Sequence, residues 1–280
     1  MVHLAVVGAG ELGGACAHAL ARADVARTLT LVDDRGRVAA GKALDISQAA
    51  PLECFATQLA GATDTSAASG ADVIVIADRF GAGEWQGEDA LMLLKRTAQM
   101  APRAVIVCAG ASHRELVDRG VRELKLSRDR LIGSAPEALA AAAKAMTALV
   151  VNGSARDVAL TVLGAPPAHV VIPWEEATID GFALTRALDE PTRRRLDAKV
   201  RALWPPGPLA LAASACRVVA ALEGRSRHVA SCFIAADQSM GSRTRTAALP
   251  VRLGPRGVID VKIPELSGAE RVALENAMSL

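Results

Sequence analysis

The sequence predicts an α/β protein whose first half is a doubly wound parallel sheet and whose second half is an α+β unit. Short apolar segments of strand length alternate with helix-like segments through the first half of the chain. Such alternation requires crossover connections, which join parallel strands. The segments ADVIVIA (71–77) and RAVIVCA (103–109) are apolar throughout, as expected of strands that are buried on both faces.

The elements of the first half follow one another in regular order. Runs rich in Val, Leu and Ile predict strands, and apolar residues at helical spacing predict helices. The predicted elements are strand His3–Val7, helix Glu11–Arg22, strand Thr28–Val32, helix Arg37–Ala49, strand Ala56–Ala60, strand Asp72–Ala77, helix Asp89–Met100 and strand Ala104–Cys108.

The second half has a different pattern, with helices and strands no longer alternating. The predicted elements are helix Glu137–Leu149, strands Asp157–Leu163 and Val170–Ile172, helices Thr192–Trp204 and Leu209–Leu222, strands His228–Ala235, Ala247–Leu253 and Val258–Ile263, and helix Gly268–Met278. We expect a domain boundary within 134–152, which divides the chain into units 1–140 and 141–280.

Composition excludes several classes of function. The chain is 51% hydrophobic, which is enough for a large core, but only 2% aromatic, so it offers no platform for stacking nucleic-acid bases. A net charge of +2 predicts no polyanionic partner. The five cysteines are scattered, as is typical of free thiols in a reducing compartment. Since no segment has the pattern of a signal peptide or membrane span, we expect a cytoplasmic protein with no membrane partner.

A glycine motif between the first strand and the first helix predicts a dinucleotide site of the Rossmann type. In GAGELGG (8–14), the spacing G-x-G-x-x-G lets the backbone approach a pyrophosphate at the helix N-terminus. Asp33 ends the second strand 20 residues beyond Gly13, where a carboxylate accepts ribose hydroxyls and favours NAD over NADP. Arg35 and Arg37 nearby leave NADP as an alternative. The predicted cofactor-binding residues are Gly8, Gly10, Glu11, Leu12, Gly13, Asp33 and Ala77.

Several further segments resemble the malate and lactate dehydrogenase family. They are GAGELGG (8–14), LVDD (31–34), GKALDISQAAP (41–51), ADVIVIA (71–77), DRLIG (129–133), VLG (162–164) and GVIDVKIPELSGAE (257–270). The pattern GKALD-x-x-Q is closest to bacterial malate dehydrogenases. The resemblance implies a Rossmann domain followed by an α+β substrate domain, assembly into dimers or tetramers, and hydride transfer between NAD and a 2-hydroxy or 2-oxo acid.

The chain departs from this family at the positions that carry the chemistry. The resemblance implies two loop arginines, a Thr-Asn-Pro turn, an Asp with an Arg three residues later, and a histidine base. The corresponding positions hold Gly81 and Gly87, Cys108-Ala109-Gly110, Leu139 and Ala142, and Pro166 or Pro167. The substrate-binding cations, the base and the orienting acid are absent together. Because these groups act as a unit, their joint absence predicts that the chain has lost the dehydrogenase reaction.

Two side chains are weak catalytic candidates. His169 lies two or three residues past the position of the base, and on a strand two residues span about 6–7 Å. It is either a displaced base or a strand-end histidine in a decayed site. Arg79 either replaces the loop arginines or faces solvent at the end of the fourth strand. Glu84 and Glu88 make this loop acidic, which opposes the binding of a dicarboxylate.

Three functions remain open from the sequence. The first is an NAD-binding, catalytically degenerate relative of malate dehydrogenase that acts through association or ligand sensing. The second is an active NAD-dependent oxidoreductase with a rebuilt pocket that uses some of Arg79, Cys108, His113 and His169. The third is a scaffold without cofactor that pairs with a genuine malate dehydrogenase. The apolar face of the helix in 41–49 predicts a homo-oligomer in each case.

Overall fold

Strands and helices alternate through the first half of the computed structural model, which describes residues 2–237 and 244–279. The strands of this half are β1 (His3–Val7), β2 (Thr28–Val32), β3 (Gln58–Ala62), β4 (Val73–Ile76), β5 (Asp78–Arg79), β6 (Gly83–Glu84), β7 (Val105–Cys108) and β8 (Leu131–Gly133). The helices are α1 (Glu11–Arg22), α2 (Gly36–Glu53), α3 (Gly87–Met100) and α4 (Arg114–Arg122).

In the described residues of the second half, four α-helices are combined with mostly short strands. The helices are α5 (Ala135–Val151), α6 (Glu190–Arg201), α7 (Pro208–Leu222) and α8 (Gly268–Met278). The strands are β9 (Val158–Ala159), β10 (Leu163–Ala165), β11 (His169–Val171), β12 (Thr178–Ile179), β13 (Phe182–Ala183), β14 (Ala230–Ile234), β15 (Ala247–Gly254) and β16 (Gly257–Val261). Within the described residues, no helix is both long and apolar enough to cross a bilayer.

One twisted sheet organises both halves. Its parallel part has the order β3-β2-β1-β4-β7-β8. Strands are added on one side of β1 up to β3 and on the other side from β4 onward, which is the topology of a doubly wound sheet and confirms the predicted fold class. Antiparallel strands β14, β15, β10 and β11 continue the sheet beyond β8, and β16 pairs with β15. Phe233 of β14 pairs with Gly133 of β8, so the sheet is continuous across the expected boundary. The division into units 1–140 and 141–280 stays a prediction.

The central strands are buried on both faces, as their apolar runs predict. Along β1, Leu4 and Val6 contribute to the core cluster that includes side chains of α1 and α7, whereas Ala5 and Val7 contribute to the cluster that includes α3 and α4. This alternation follows from the two-residue period of a strand. The rigid strands thereby hold the loops at their carboxyl ends in fixed positions.

Several elements differ from the sequence prediction. Helix α2 continues through Pro51 to Glu53, because the carbonyl of Ala50 still accepts N–H bonds from the residues that follow. Strand β3 therefore starts at Gln58 rather than at residue 56. The predicted strand 157–163 is divided into β9 and β10, which belong to different sheets. Helix α4 was not predicted from the sequence. Its buried residues are Leu116, Val117 and Gly120, which lie on one face because Gly120 follows one helical turn after the other two.

Candidate functional site

The glycine loop lies at the carboxyl edge of the parallel sheet, where β1, β2 and β4 end in register. Val7 pairs with Val32 on one side and with Ile76 on the other. Gly8 has a φ of 107°, and a Cβ on Gly13 would lie 1.9 Å from the carbonyl oxygen of Gly8. Both positions therefore require glycine for the tight turn and for the close packing of α1 on β1.

All the predicted cofactor-binding residues lie at this edge. Gly10 caps α1, and Glu11 is exposed in its first turn. The side chain of Leu12 is buried in the core, so only its backbone is available to a ligand. Ala77 donates its N–H to the carbonyl of Val7 at 2.9 Å and thereby brings the end of β4 beside the loop.

Asp33 is 6% exposed at the end of β2 and joins three segments through its carboxylate. One oxygen, Oδ2, accepts the backbone N–H groups of Ala9 at 2.8 Å and Phe80 at 3.0 Å. The other, Oδ1, accepts the N–H of Arg35 at 2.9 Å. In this structure Asp33 accepts hydrogen bonds from the protein's own backbone, and its binding to ribose stays a prediction.

A second carboxylate lies on the glycine loop itself. Oδ1 of Asp78 accepts the N–H of Gly13 at 2.8 Å. A Cβ on Gly10 would lie 2.2 Å from Oδ2 of the same side chain, so the carboxylate packs directly against the loop. On the other side, Nζ of Lys42 donates to the carbonyl of Gly10 at 2.6 Å. The N-terminus of α1, which attracts anions, holds an anionic group of the chain.

Asp78 belongs to a small hairpin, residues 78–84, which we call the crossing hairpin. Its strands β5 and β6 pair Asp78 with Glu84 and Arg79 with Gly83. The Glu84 carboxylate accepts the N–H groups of Ala111 and Ser112 at 2.9 and 2.8 Å. The crossing hairpin therefore runs from the glycine loop to the residues that follow β7.

The pKa values of Glu84 and of the neighbouring His113 both lie below their usual values. Burial raises the pKa of the Glu84 carboxyl, but the hydrogen bonds that it accepts from Ser112 and Ala111 outweigh burial, and the pKa lies below its usual value. Burial lowers the pKa of His113, against the opposing charges of Glu84 and Asp78. The ring accepts the N–H of Gly110 at Nδ1, so it is held as a neutral imidazole that carries its proton on Nε2.

The weak catalytic candidates lie on different strands, Arg79 on β5, Cys108 on β7 and His169 on β11. Arg79 stacks on the ring of Trp85 at 4.4 Å and faces Asp89 of α3 at 3.9 Å. His169 is half-buried in β11, where it pairs with Ala165. Cys108 is fully buried, and burial raises its thiol pKa to about 12, so it is a poor nucleophile.

A cavity of about 530 Å³ adjoins Pro166, one of the two positions at which the family resemblance implies the base. Arg114 and Arg245 are among its lining residues. Arg114 donates to the carbonyls of Thr246 and Ala277, and Arg245 lies 3.5 Å from Asp118. These cations are engaged by the protein. His169 is not among the described residues that line this cavity.

Asp78 and Lys42 were not predicted as site residues, and Glu84 was predicted only to make the loop acidic. A signal existed for Asp78, which directly follows a buried strand at the edge where ligands bind in doubly wound sheets. Nothing in the local sequence indicates that its carboxylate returns to Gly13, 65 residues earlier. In the described parts of the chain, no cluster of His, Cys, Asp and Glu has the arrangement of a metal site.

Comparison with known proteins supports the resemblance seen in the sequence. Residues 2–117 match the family model of the lactate/malate dehydrogenase NAD binding domain. The malate dehydrogenase of Thermomicrobium roseum is 28% identical over 291 residues, which cover 98% of this chain and 94% of that protein. The L-lactate dehydrogenase of Allorhizobium ampelinum is 27% identical over 294 residues, which cover 96% and 94%.

Solved structures show the same fold. Malate dehydrogenase from Salinibacter ruber superposes with a TM-score of 0.88 at 21% identity, covering 99% of this chain and 94% of that one. Lactate dehydrogenase from Cryptosporidium parvum, solved with lactic acid and NAD, gives a TM-score of 0.87 at 20% identity, with coverage of 99% and 94%.

The glycine loop and the acid after β2 therefore lie in a recognised nucleotide-binding fold. The matched domain is an NAD-binding domain, which confirms the predicted cofactor. The chain resembles the malate and lactate dehydrogenases over almost its whole length, and its residues 2–117 correspond to their NAD-binding domain.

Proposed function

We propose that this protein is an NAD-binding relative of the malate and lactate dehydrogenases that does not catalyse their reaction and acts through association or ligand sensing. The observation that carries the proposal is the set of side chains at the positions implied by the family resemblance. Proline stands where the base belongs, Leu139 and Ala142 where an Asp and an Arg belong, and Gly81 and Gly87 where arginines belong.

The geometry supports the loss of chemistry. Gly81 adopts a φ of 75° and Gly87 a φ of 59°, backbone conformations that disfavour an arginine at either place. Leu139 is fully buried in an apolar cluster, which offers no partner for a charged orienting group. A 2-oxo acid would therefore meet neither a bidentate cation nor a proton donor of the usual kind.

An active oxidoreductase with a rebuilt pocket is the second candidate. The cavity beside Pro166 favours it, since Arg114 and Arg245 would give an anionic substrate two cations. For that function these cations must exchange their present protein partners for substrate. A substrate-dependent change in NADH absorbance that Arg245→Ala abolishes would support this candidate.

We propose that NAD binds more tightly than NADP because a carboxylate at residue 33 repels a 2′-phosphate. Calorimetric titration of the purified protein with each nucleotide tests this. We expect a measurable heat with NAD and a weaker interaction with NADP. A preference for NADP would mean that Arg35 or Arg37 governs the ribose end, and the proposed role of Asp33 would be wrong.

We also propose a homo-oligomer, or a hetero-oligomer with a genuine malate dehydrogenase, assembled through α2. Leu44 and Leu52 of this helix are 61% and 87% exposed, which is costly for a lone chain. All five cysteines are free, which fits the reducing cytoplasm as its location. Light scattering that finds a monomer at micromolar concentration would rule out the homo-oligomer.

A further inference from the structure

We propose that the crossing hairpin, residues 78–84, is an internal competitor of NAD that occupies the dinucleotide cleft of the free protein. NAD then binds only when the crossing hairpin lifts away. This inference rests on the proposed function, and it adds a regulatory step to NAD binding. Three contacts support this inference. Asp78 bonds to the glycine loop, where a pyrophosphate would lie, Phe80 bonds to Asp33 at the ribose end, and Glu84 bonds to the residues after β7.

The first contact is at the pyrophosphate end. A dinucleotide places its pyrophosphate on the free N–H groups at the start of the helix that follows the glycine loop. Here the Asp78 carboxylate accepts the N–H of Gly13 at 2.8 Å and lies against Gly10. A carboxylate in this position satisfies the same donor and the same positive end of α1 as a phosphate would, and both cannot be present together.

The second contact is at the ribose end. The Asp33 carboxylate, which would accept ribose hydroxyls, instead accepts the N–H of Phe80 at 3.0 Å. The Phe80 ring lies 5.5 Å from the Arg35 guanidinium and 5.9 Å from Lys42 Nζ. Phe80 thus bonds to the Asp33 carboxylate through its N–H and contacts the Arg35 and Lys42 cations through its ring.

The third contact is made by the second strand of the crossing hairpin, where Glu84 lies opposite Asp78. The Glu84 carboxylate accepts the N–H groups of Ala111 and Ser112 and the hydroxyl of Ser112. These residues follow β7, the strand next to β4 in the sheet. The crossing hairpin is therefore held over the carboxyl ends of β1, β4 and β7, where a dinucleotide lies in this fold.

Little space remains beside these contacts. The cavity next to Asp33 has a volume of about 180 Å³ and is bordered by Trp85, Asp89 and Met92. Ligand pockets for small molecules usually measure about 300–1,000 Å³. The cavity beside Asp33 is therefore smaller than a usual ligand pocket, and Asp78 and Phe80 already bond to the groups that a pyrophosphate and a ribose would use.

The crossing hairpin is built so that it can move. Gly81 and Gly83 have φ values of 75° and 74°, and no atom lies within 4 Å of a Cβ placed on either. A two-stranded ribbon with two residue pairs has little stability of its own. The carboxylate contacts of Asp78 and Glu84 therefore hold most of the closed form.

The test compares NAD binding by wild type, Asp78→Ala and the matched charge control Asp34→Asn. Asp34 is exposed beside Asp33, so its replacement removes a negative charge near the cleft without touching the glycine loop. The apparent affinity equals the intrinsic affinity multiplied by the fraction of open protein, so if about one tenth or less is open in the wild type, we expect Asp78→Ala to tighten NAD binding by at least about tenfold. We expect Asp34→Asn to change it by less than about threefold. Circular dichroism verifies that each variant is folded.

Hydrogen exchange gives an independent measure in the unmodified protein. The Phe80 amide should be protected in the free protein by Asp33 and should exchange faster when NAD is saturating. Equal NAD affinity in wild type and Asp78→Ala, equal tightening by Asp34→Asn, or unchanged exchange at Phe80 would each overturn the competitor while leaving NAD binding intact. If neither wild type nor Asp78→Ala binds NAD, the competitor and the proposed NAD function both fail.

Discussion

Asp33 shows how one side chain serves both the fold and the cleft. It is buried, and it accepts N–H bonds from Ala9, Phe80 and Arg35. Asp33→Ala leaves these donors without an acceptor, so we expect the free energy of unfolding to fall by about 2–4 kcal/mol. Urea unfolding measures the loss, with Asp34→Ala as the exposed neighbour control. Equal stabilities of the two variants would show that the Asp33 contacts add nothing to the fold.

His113 predicts a pH dependence of stability. Its pKa is lowered by burial, so the unfolded chain takes up a proton below about pH 6.5 that the folded protein rejects. Above this pH, His113 does not reduce the free energy of unfolding. Below it, the free energy of unfolding falls as pH decreases, by at most about 1.4 kcal/mol per pH unit for one proton. His113→Asn keeps an acceptor for Gly110 without the titration.

Urea unfolding of wild type and His113→Asn between pH 7.5 and pH 5 measures this difference. We expect the wild type to lose more stability than the variant below about pH 6.5. This range stays above the region where Glu84, with its lowered pKa, begins to contribute. Parallel curves for the two proteins would mean that His113 protonates as freely in the folded chain as in the unfolded one.

Residues that act through the backbone could be predicted from the sequence, and residues that act across long loops could not. Spacing predicts Gly8 and Gly13 because a tight strand-to-helix turn requires glycine there, and it predicts Asp33 directly after the second strand. Asp78 contacts Gly13 only after β4 has been placed beside β1. No local spacing contains that information.

At the scale of elements, Glu137 joins one helix to a strand and to another helix. It is 2% exposed on α5, accepts the N–H of Ser231 of β14 at 2.8 Å, and pairs with Arg217 of α7 at 3.1 Å. Glu137→Ala leaves the buried N–H of Ser231 without its acceptor and removes an ion pair to the half-exposed Arg217, so we expect a loss of about 1–3 kcal/mol. Urea unfolding measures it.

The matched control is Glu190→Ala, which breaks an exposed pair with Arg194 on α6. We expect that variant to lose less than about 1 kcal/mol. If the Glu137 variant were as mild as this control, the α5, α7 and β14 packing would be held by apolar contacts alone.

Elements with strong periodicity were predicted well, and elements defined by pairing were not. The strands of the parallel sheet and helix α1 match because their apolar patterns match their burial. The crossing hairpin has no such pattern in RFGAGE, and its two paired strands are anchored to the rest of the chain through the carboxylates of Asp78 and Glu84. The division of 157–163 into β9 and β10 likewise depends on which sheet offers a partner.

At the scale of the whole molecule, the missing chemistry is distributed over separate elements. The base position lies between β10 and β11, the positions of the orienting acid and an arginine lie in α5, and the loop arginines belong to the crossing hairpin and the start of α3. Restoring one group leaves the others absent. We therefore expect Pro167→His to gain no dehydrogenase activity. A base alone does not position the substrate, and positioning can lower the activation free energy by about 7–11 kcal/mol.

NADH absorbance at high protein concentration with malate, lactate and oxaloacetate, for wild type and Pro167→His, tests most directly whether this chain has lost the dehydrogenase reaction. We expect no rate above the protein-free background in either protein, because the base, the orienting acid and the substrate-binding cations are all replaced. A wild-type turnover of about 1–10 s⁻¹, ordinary for an enzyme, would contradict this expectation and would show a rebuilt pocket instead of a lost one.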